Sequence, residues 1–260
     1  MIMKYIFYRH DQLPLLYRYW DFNVSVYIIC MITMNIQQIY SDYQIPINLQ
    51  MHMIRTAAIG HLIFQHWRGP SIDYDTIITT LLLHDMGNIV KINLDQPEPF
   101  FVEHGDMRER IRNMQNHLIS LYGNDDHNVT NEIVKNLGLN DRISYLIREK
   151  LFIKNDFITY QDDYELKITA YADQRVGPLN ILSLHDRFNE AKKRSSITRK
   201  SSMNHPDVNI FIAKAYILEE QVLSQTDLKP SDINDRAIAH LVKLLSSYRL
   251  TTNSISSGYL

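Results

Sequence analysis

The sequence predicts an all-α fold, a helical bundle with a C-terminal helical hairpin, and three observations carry that expectation. From Pro46 onward apolar residues recur at spacings of three and four, the period of a helix with one buried face. The stretches are punctuated by Gly123, Gly138 and Pro230, and Pro46 opens the first of them; these residues suit helix ends better than helix interiors. Runs of β-branched or aromatic residues are confined to positions 5–8 and 24–32.

Taken in order, residues 1–33 form an N-terminal extension unlike the rest, rich in aromatic residues, with Lys4, Arg9 and Arg18 ahead of the apolar run at 24–32. That run lacks a small-residue cleavage site and falls well short of the roughly 20 apolar residues of a membrane span, so neither secretion nor a membrane anchor is expected. The helical pattern begins at 35–40, and Met34 is taken as the native start, the preceding stretch being either translated upstream sequence or a loosely attached arm. Helices are expected over 46–67, 73–90, 104–122, 127–137, 141–149, 163–194, 206–225 and 231–248. The basic, serine-rich stretch 194–204 suits an exposed loop or boundary. It divides a body spanning 34–194 from a linker and helical hairpin at 195–260, assigned to packing or to homodimerisation. The last residues, from Ser254, are expected to fray.

Composition narrows the function. The chain has 260 residues and a formal net charge of -2, which leaves no overall excess of positive charge for an electrostatically driven nucleic-acid binder. Cys30 is the only cysteine, so an intrachain disulfide is excluded and a reducing cytoplasm is the natural setting. No internal repeat or low-complexity linker is present.

The most informative residues are His84 and Asp85, adjacent in the run Leu81-Leu82-Leu83-His84-Asp85-Met86-Gly87-Asn88. A buried helix keeps ionisable groups out unless something compensates them, because an unpaired buried charge is expensive to desolvate. A metal cation would take an imidazole nitrogen and a carboxylate oxygen together. The competing explanation is a helix C-terminus, with Asp85 or Asn88 bonding local backbone and Gly87 as the cap. Two further apolar helical stretches carry the same chemistry, His52 between Ile47 and Ile63 and Asp173 in Tyr171-Ala172-Asp173-Gln174-Arg175-Val176. The ligand types suit Mn, Fe, Ni, Co, Zn or Mg.

A histidine, then His-Asp, then a distant aspartate is the defining pattern of the HD superfamily of metal-dependent phosphohydrolases, and residues 40–190 of this chain resemble it. The matching residues are His52, the pair His84-Asp85, and Asp173. The separation of His52 from His84 fits one helix, a turn at 68–71, and a second helix. The resemblance implies an HD domain over 34–194, a divalent cation held by these four side chains, and hydrolysis of a phosphoester of a nucleotide or other small phosphorylated compound, with Asp85 in the catalytic centre. Other readings are a nucleotide-sensing HD module with little or no turnover and, for dinuclear members, a metal-dependent oxygenase.

His127 resembles the position of an additional histidine that binds a second metal in dinuclear members; an exposed histidine at a helix N-terminus is the competing view. The further histidine of such members falls here near Ile147-Arg148-Glu149-Lys150, where none is present. Glu149 could substitute as an oxygen ligand, but a mononuclear site is the default. His185-Asp186 is taken as a second, unrelated pair on an exposed helix, and His61, His66, His104, His117 and His240 as surface or structural residues. Phosphate needs cationic partners. Arg55, one turn after His52, and Lys91, after the His-Asp segment, are taken as substrate contacts; Arg175 is a third candidate, with an internal ion pair as its competing role. Glu98, Glu103 or His104, from the insertion after Lys91, are the candidates for a general acid.

Overall fold

A computed structural model describes residues 28–94, 105–195 and 202–256. Among them the architecture is all-α, with one two-stranded antiparallel sheet. Strand β1, Ile28–Asn35, leads into α1, Ile36–Asp42, and α2, Ile47–Gln65. Helix α3 spans Tyr74–Leu83 and gives way to a 3-10 segment, Met86–Lys91. Then come α4 (Asp106–Tyr122), α5 (Asp126–Asn136), α6 (Asp141–Glu149), the short α7 (Asn155–Thr159) and α8 (Tyr164–Gln174). Helices α9 (Leu184–Ser195), α10 (Val208–Leu223) and α11 (Asp235–Leu245) precede β2, Arg249–Ser256.

Short polar side chains start many of these helices. Asp73, Asp125, Asn140, Asp163 and Asn234 each accept a hydrogen bond from the backbone N–H three residues on. Each cap satisfies an otherwise orphaned amide and contributes about 1 kcal/mol.

The core sits where α2, α3 and α8 pack on one another, with α6 against α3 and α8. All of Ile77, Ile78, Leu81, Leu82 and Leu83 are buried; each such side chain contributes roughly 1.5–3 kcal/mol on leaving water. Gly60 lets α2 and α3 approach closely: a Cβ there would lie 2.5 Å from Leu81 Cδ1. Tyr40, buried on α1, donates its hydroxyl to the Leu82 carbonyl at 2.7 Å, satisfying an acceptor in the last turn of α3.

Two expectations are corrected. The helix expected over 163–194 is two helices, because the chain turns back after Arg175: Gly177 N donates to Asn180 O at 2.8 Å and Leu182 N to Arg175 O at 2.8 Å. A Cβ on Gly177 would lie 2.6 Å from Leu182 Cδ1, and Pro178 cannot donate to a helix ladder. Helices α10 and α11 follow one another where the C-terminal hairpin is expected; α10 packs on α7 and α8 whereas α11 packs on α2, so both enter the common core. Instead of fraying from Ser254, the chain continues in β2 to Ser256, and β2 pairs with β1 from Asn35↔Arg249 to Ile28↔Ser256. Strand β1 thus lies largely ahead of Met34. Among the described residues no helix is long and apolar enough to cross a membrane.

Candidate metal centre

Helix α3 does end at Leu83, as the capping alternative for His84 and Asp85 requires, but Gly87 is not a left-handed cap. Its lack of a side chain serves packing: a Cβ would lie 2.0 Å from the Asp126 carbonyl oxygen and 2.7 Å from Thr130 N. Gly87 N donates to Thr130 Oγ1 at 2.9 Å. The segment after α3 is thereby held against α5, which sets the direction of Asp85.

Four side chains from three helical segments converge. His52 Nε2 and His84 Nε2 each lie 3.5 Å from Asp85 Oδ2 and 3.2 Å from Asp173 Oδ1. The two imidazole centroids are 5.3 Å apart. Ligand atoms of His52, His84 and Asp85 all lie within 4.8 Å of one another, a group that could hold a metal ion.

His84 supplies the test of whether this donor set suits a cation. Its Nδ1 lies 2.7 Å from the Leu81 carbonyl oxygen, which can only accept, so Nδ1 carries the proton. In the neutral imidazole this leaves Nε2 with a lone pair, and Nε2 is buried without a hydrogen-bond partner even though Asp173 Oδ1 is near. A buried acceptor turned towards carboxylate oxygens is costly unless a cation lies among them. A backbone carbonyl on Nδ1 fixing the ring for a ligand at Nε2 is the usual outer arrangement of a metal-binding histidine. Two imidazoles and two carboxylates therefore fit a divalent cation.

The electrostatics agree. Burial pushes the Asp85 carboxyl up, but positive charge at the His84 ring, which a cation at Nε2 would supply in its place, and at Lys150 outweighs it and holds the group below its ordinary value. For Asp173 burial again pushes up, and Lys150 with the two imidazoles holds it well below. Lys150 is one residue that sequence reasoning missed. It is buried, 3 % exposed, with Nζ 2.6 Å from Asp173 Oδ2. Within the string Arg148-Glu149-Lys150 only the placement of α6 beside α8 reveals it.

The centre lies in a cleft of about 650 Å³. Its wall includes Lys91 and Arg187 as cations and Phe152, Phe188 and Met203 as apolar surface. Lys91 lines the cleft as expected, its Nζ 2.5 Å from Asp126 Oδ2. Arg187 was overlooked because its segment has the pattern of an exposed helix. Its Nε donates to the Val176 carbonyl at 2.8 Å and its Nη1 lies 3.0 Å from Glu190 Oε2, while burial, then Arg194, push its guanidinium below the ordinary value.

Other candidates fall elsewhere. Arg55 does not line the cleft; three residues along a helix leave it about 60° around from His52. Arg175 is buried and turned away from the centre, donating to the carbonyls of Leu182 (2.6 Å), Pro230 and Ile233 (3.0 Å each) and pairing with Glu219 at 3.3 Å. It thus forms the internal ion pair and does not line the cleft. The side chain of His127 is half exposed, its Nδ1 3.8 Å from Asp126 Oδ2, and it does not join the four. Glu149 is engaged by Lys154 and Arg148, each at 2.9 Å, rather than by the centre. His185 is exposed and pairs with Asn189, and Asp186 with Ser183. Glu98, Glu103 and His104 lie outside the described residues. Comparison of the chain with family models, with curated proteins and with solved structures finds no match.

Proposed function

We propose that this chain is a cytoplasmic metal-dependent phosphohydrolase of the HD type, cleaving a phosphoester of a nucleotide or another small phosphorylated compound. The observation that carries the reading is the convergence of His52, His84, Asp85 and Asp173 around the buried, unpartnered Nε2 of His84 in a cleft that also presents cations. A divalent ion of Mn, Fe, Ni, Co, Zn or Mg held there supplies Lewis acidity to a phosphoryl oxygen and acidifies bound water.

The chain's own residues supply the remainder. His52 and His84 offer neutral nitrogen donors and Asp85 and Asp173 offer charge, which favours a cation over bulk water. Lys91 and Arg187 stand on the cleft wall for phosphate oxygens; a guanidinium can meet two of them at once. Phe152 and Phe188, with ring centroids 5.5 Å apart, give the organic part of the substrate an apolar surface suited to a flat base.

A second reading is a nucleotide-sensing module with little or no turnover, since a cleft with cations and aromatic surface suits binding of a nucleotide without turnover as well as with it. One experiment separates the two. The purified protein is assayed for bound metals, and nucleotides and phosphate monoesters are screened with Mn, Fe, Ni, Co and Mg beside Asp85→Ala. Turnover that disappears in the variant supports the hydrolase. Tight nucleotide binding without turnover supports the sensor, and a protein that takes up none of these metals overturns both.

A further inference from the structure

Lys150 closes α6, its backbone N–H bonded to the Leu146 carbonyl at 3.0 Å, and sends its side chain inward rather than to solvent. Its ammonium holds Oδ2 of Asp173 at 2.6 Å while Oδ1 of the same carboxylate faces both imidazoles at 3.2 Å. A carboxylate that bridges two cations gives one oxygen to each. Here one oxygen is turned to the His52–His84 pair and the other already has its cation. A buried ammonium is tolerated only when paired, and Asp173 is the partner that the fold provides.

We propose that Lys150 is a fixed cation standing in the place of a second metal ion, so that the centre takes one divalent ion per chain. This rests on the metal-centre reading above and adds the stoichiometry and its cause. Charge bookkeeping supports it: two carboxylates, one ammonium and one divalent ion carry the same net charge as three carboxylates and two divalent ions. Replacing the ammonium by a carboxylate therefore converts a one-ion site into a two-ion site at constant charge. Two further carboxylates, Glu149 and Asp126, already have cationic partners of their own: Glu149 is held by Lys154 and Arg148, and Asp126 is held by Lys91.

The test counts ions directly. Full-length protein, stripped with chelator and dialysed against rising Mn²⁺, is analysed for metal per chain, with electron paramagnetic resonance to detect coupled Mn²⁺ pairs. The wild type and Lys150→Arg are expected to saturate at one ion without a coupled signal. Lys150→Glu and Lys150→His, each placing a ligand where the ammonium stood, are expected to take up two and to show the coupled pair. Two ions in the wild type overturn the inference and leave the metal centre standing; no ion in the wild type overturns the metal centre itself. A folded Lys150→Glu or Lys150→His that still saturates at one ion also overturns the inference. A loss of packing alone would change stability and not the ion count.

Discussion

The Nδ1–H of His84 donates to the Leu81 carbonyl at 2.7 Å, and this one bond decides which ring nitrogen faces the centre. Leu81 lies on α3, whose apolar side chains are locked in the core, so the imidazole inherits the rigidity of the helix. Replacing His84 by Ala removes a rigid donor. Loss of an outer partner of a metal-bound histidine already weakens binding by about 10–100-fold, and loss of the donor itself is expected to exceed 100-fold, measured as the midpoint of a Mn²⁺ titration. Equal affinity in the variant would remove His84 from the ligand set.

Chelation tests the same site through stability. A ligand present at about 100 times its dissociation constant stabilises the folded state by about 2.7 kcal/mol. Saturating Mn²⁺ is expected to raise the thermal unfolding midpoint of the wild type and to leave that of His84→Ala unmoved, read by differential scanning calorimetry.

Gly87→Ala is expected to destabilise the protein by about 1–3 kcal/mol, the ordinary cost of overpacking a filled interior. The added methyl would meet the Asp126 carbonyl at 2.0 Å, and that backbone contact cannot be relieved by a rotamer change. Urea unfolding gives the loss. Because Lys91 pairs with Asp126, the displaced α5 is also expected to raise KM for a phosphorylated substrate.

Arg187→Met removes a charged donor from the cleft wall and keeps most of the apolar stem. Hydrogen bonds to charged groups contribute about 1.5–3 kcal/mol, so kcat/KM is expected to fall about 10–100-fold with metal content unchanged. Steady-state kinetics beside elemental analysis checks both halves. An unaltered kcat/KM would take Arg187 out of substrate binding.

Arg175→Met is expected to cost about 3–5 kcal/mol of stability, because it takes the cation from Glu219 and the donor from the carbonyls of Leu182, Pro230 and the buried Ile233. The Tyr171 hydroxyl, 2.5 Å from Arg175 Nη1 and pushed up chiefly by its burial, loses the same partner. Denaturant titration measures the loss; a KM changed at matched fraction folded would contradict a purely internal role.

The four converging side chains were legible because each is an ionisable residue in a stretch whose apolar period leaves no room for one. Lys150 and Arg187 were not, for the opposite reason. Arg148-Glu149-Lys150 and the segment around Arg187 have the composition of solvated helix, and only the packing of α6 and α9 against α8's end turns these two cations inward. The break after Arg175 was written in Val176-Gly177-Pro178, whose punctuation a continuous apolar period masked. Strand β2 could not be read from its own residues, since its pairing partner lies at the other end of the described chain.

That pairing sets an order of events. Arg249 Nη2 meets Thr33 Oγ1 across 216 residues of sequence, and Ile36 N bonds Tyr248 O at 2.9 Å just beside it. Contacts so distant along the chain are brought together only after the segments between them have condensed, since loop closure grows costlier with length. The β1–β2 ribbon thus joins the two ends of the helical body side by side, and its flanks reach the helix that carries His84: Tyr40, after β1, donates to the Leu82 carbonyl and Tyr248, before β2, to Asp75 Oδ1.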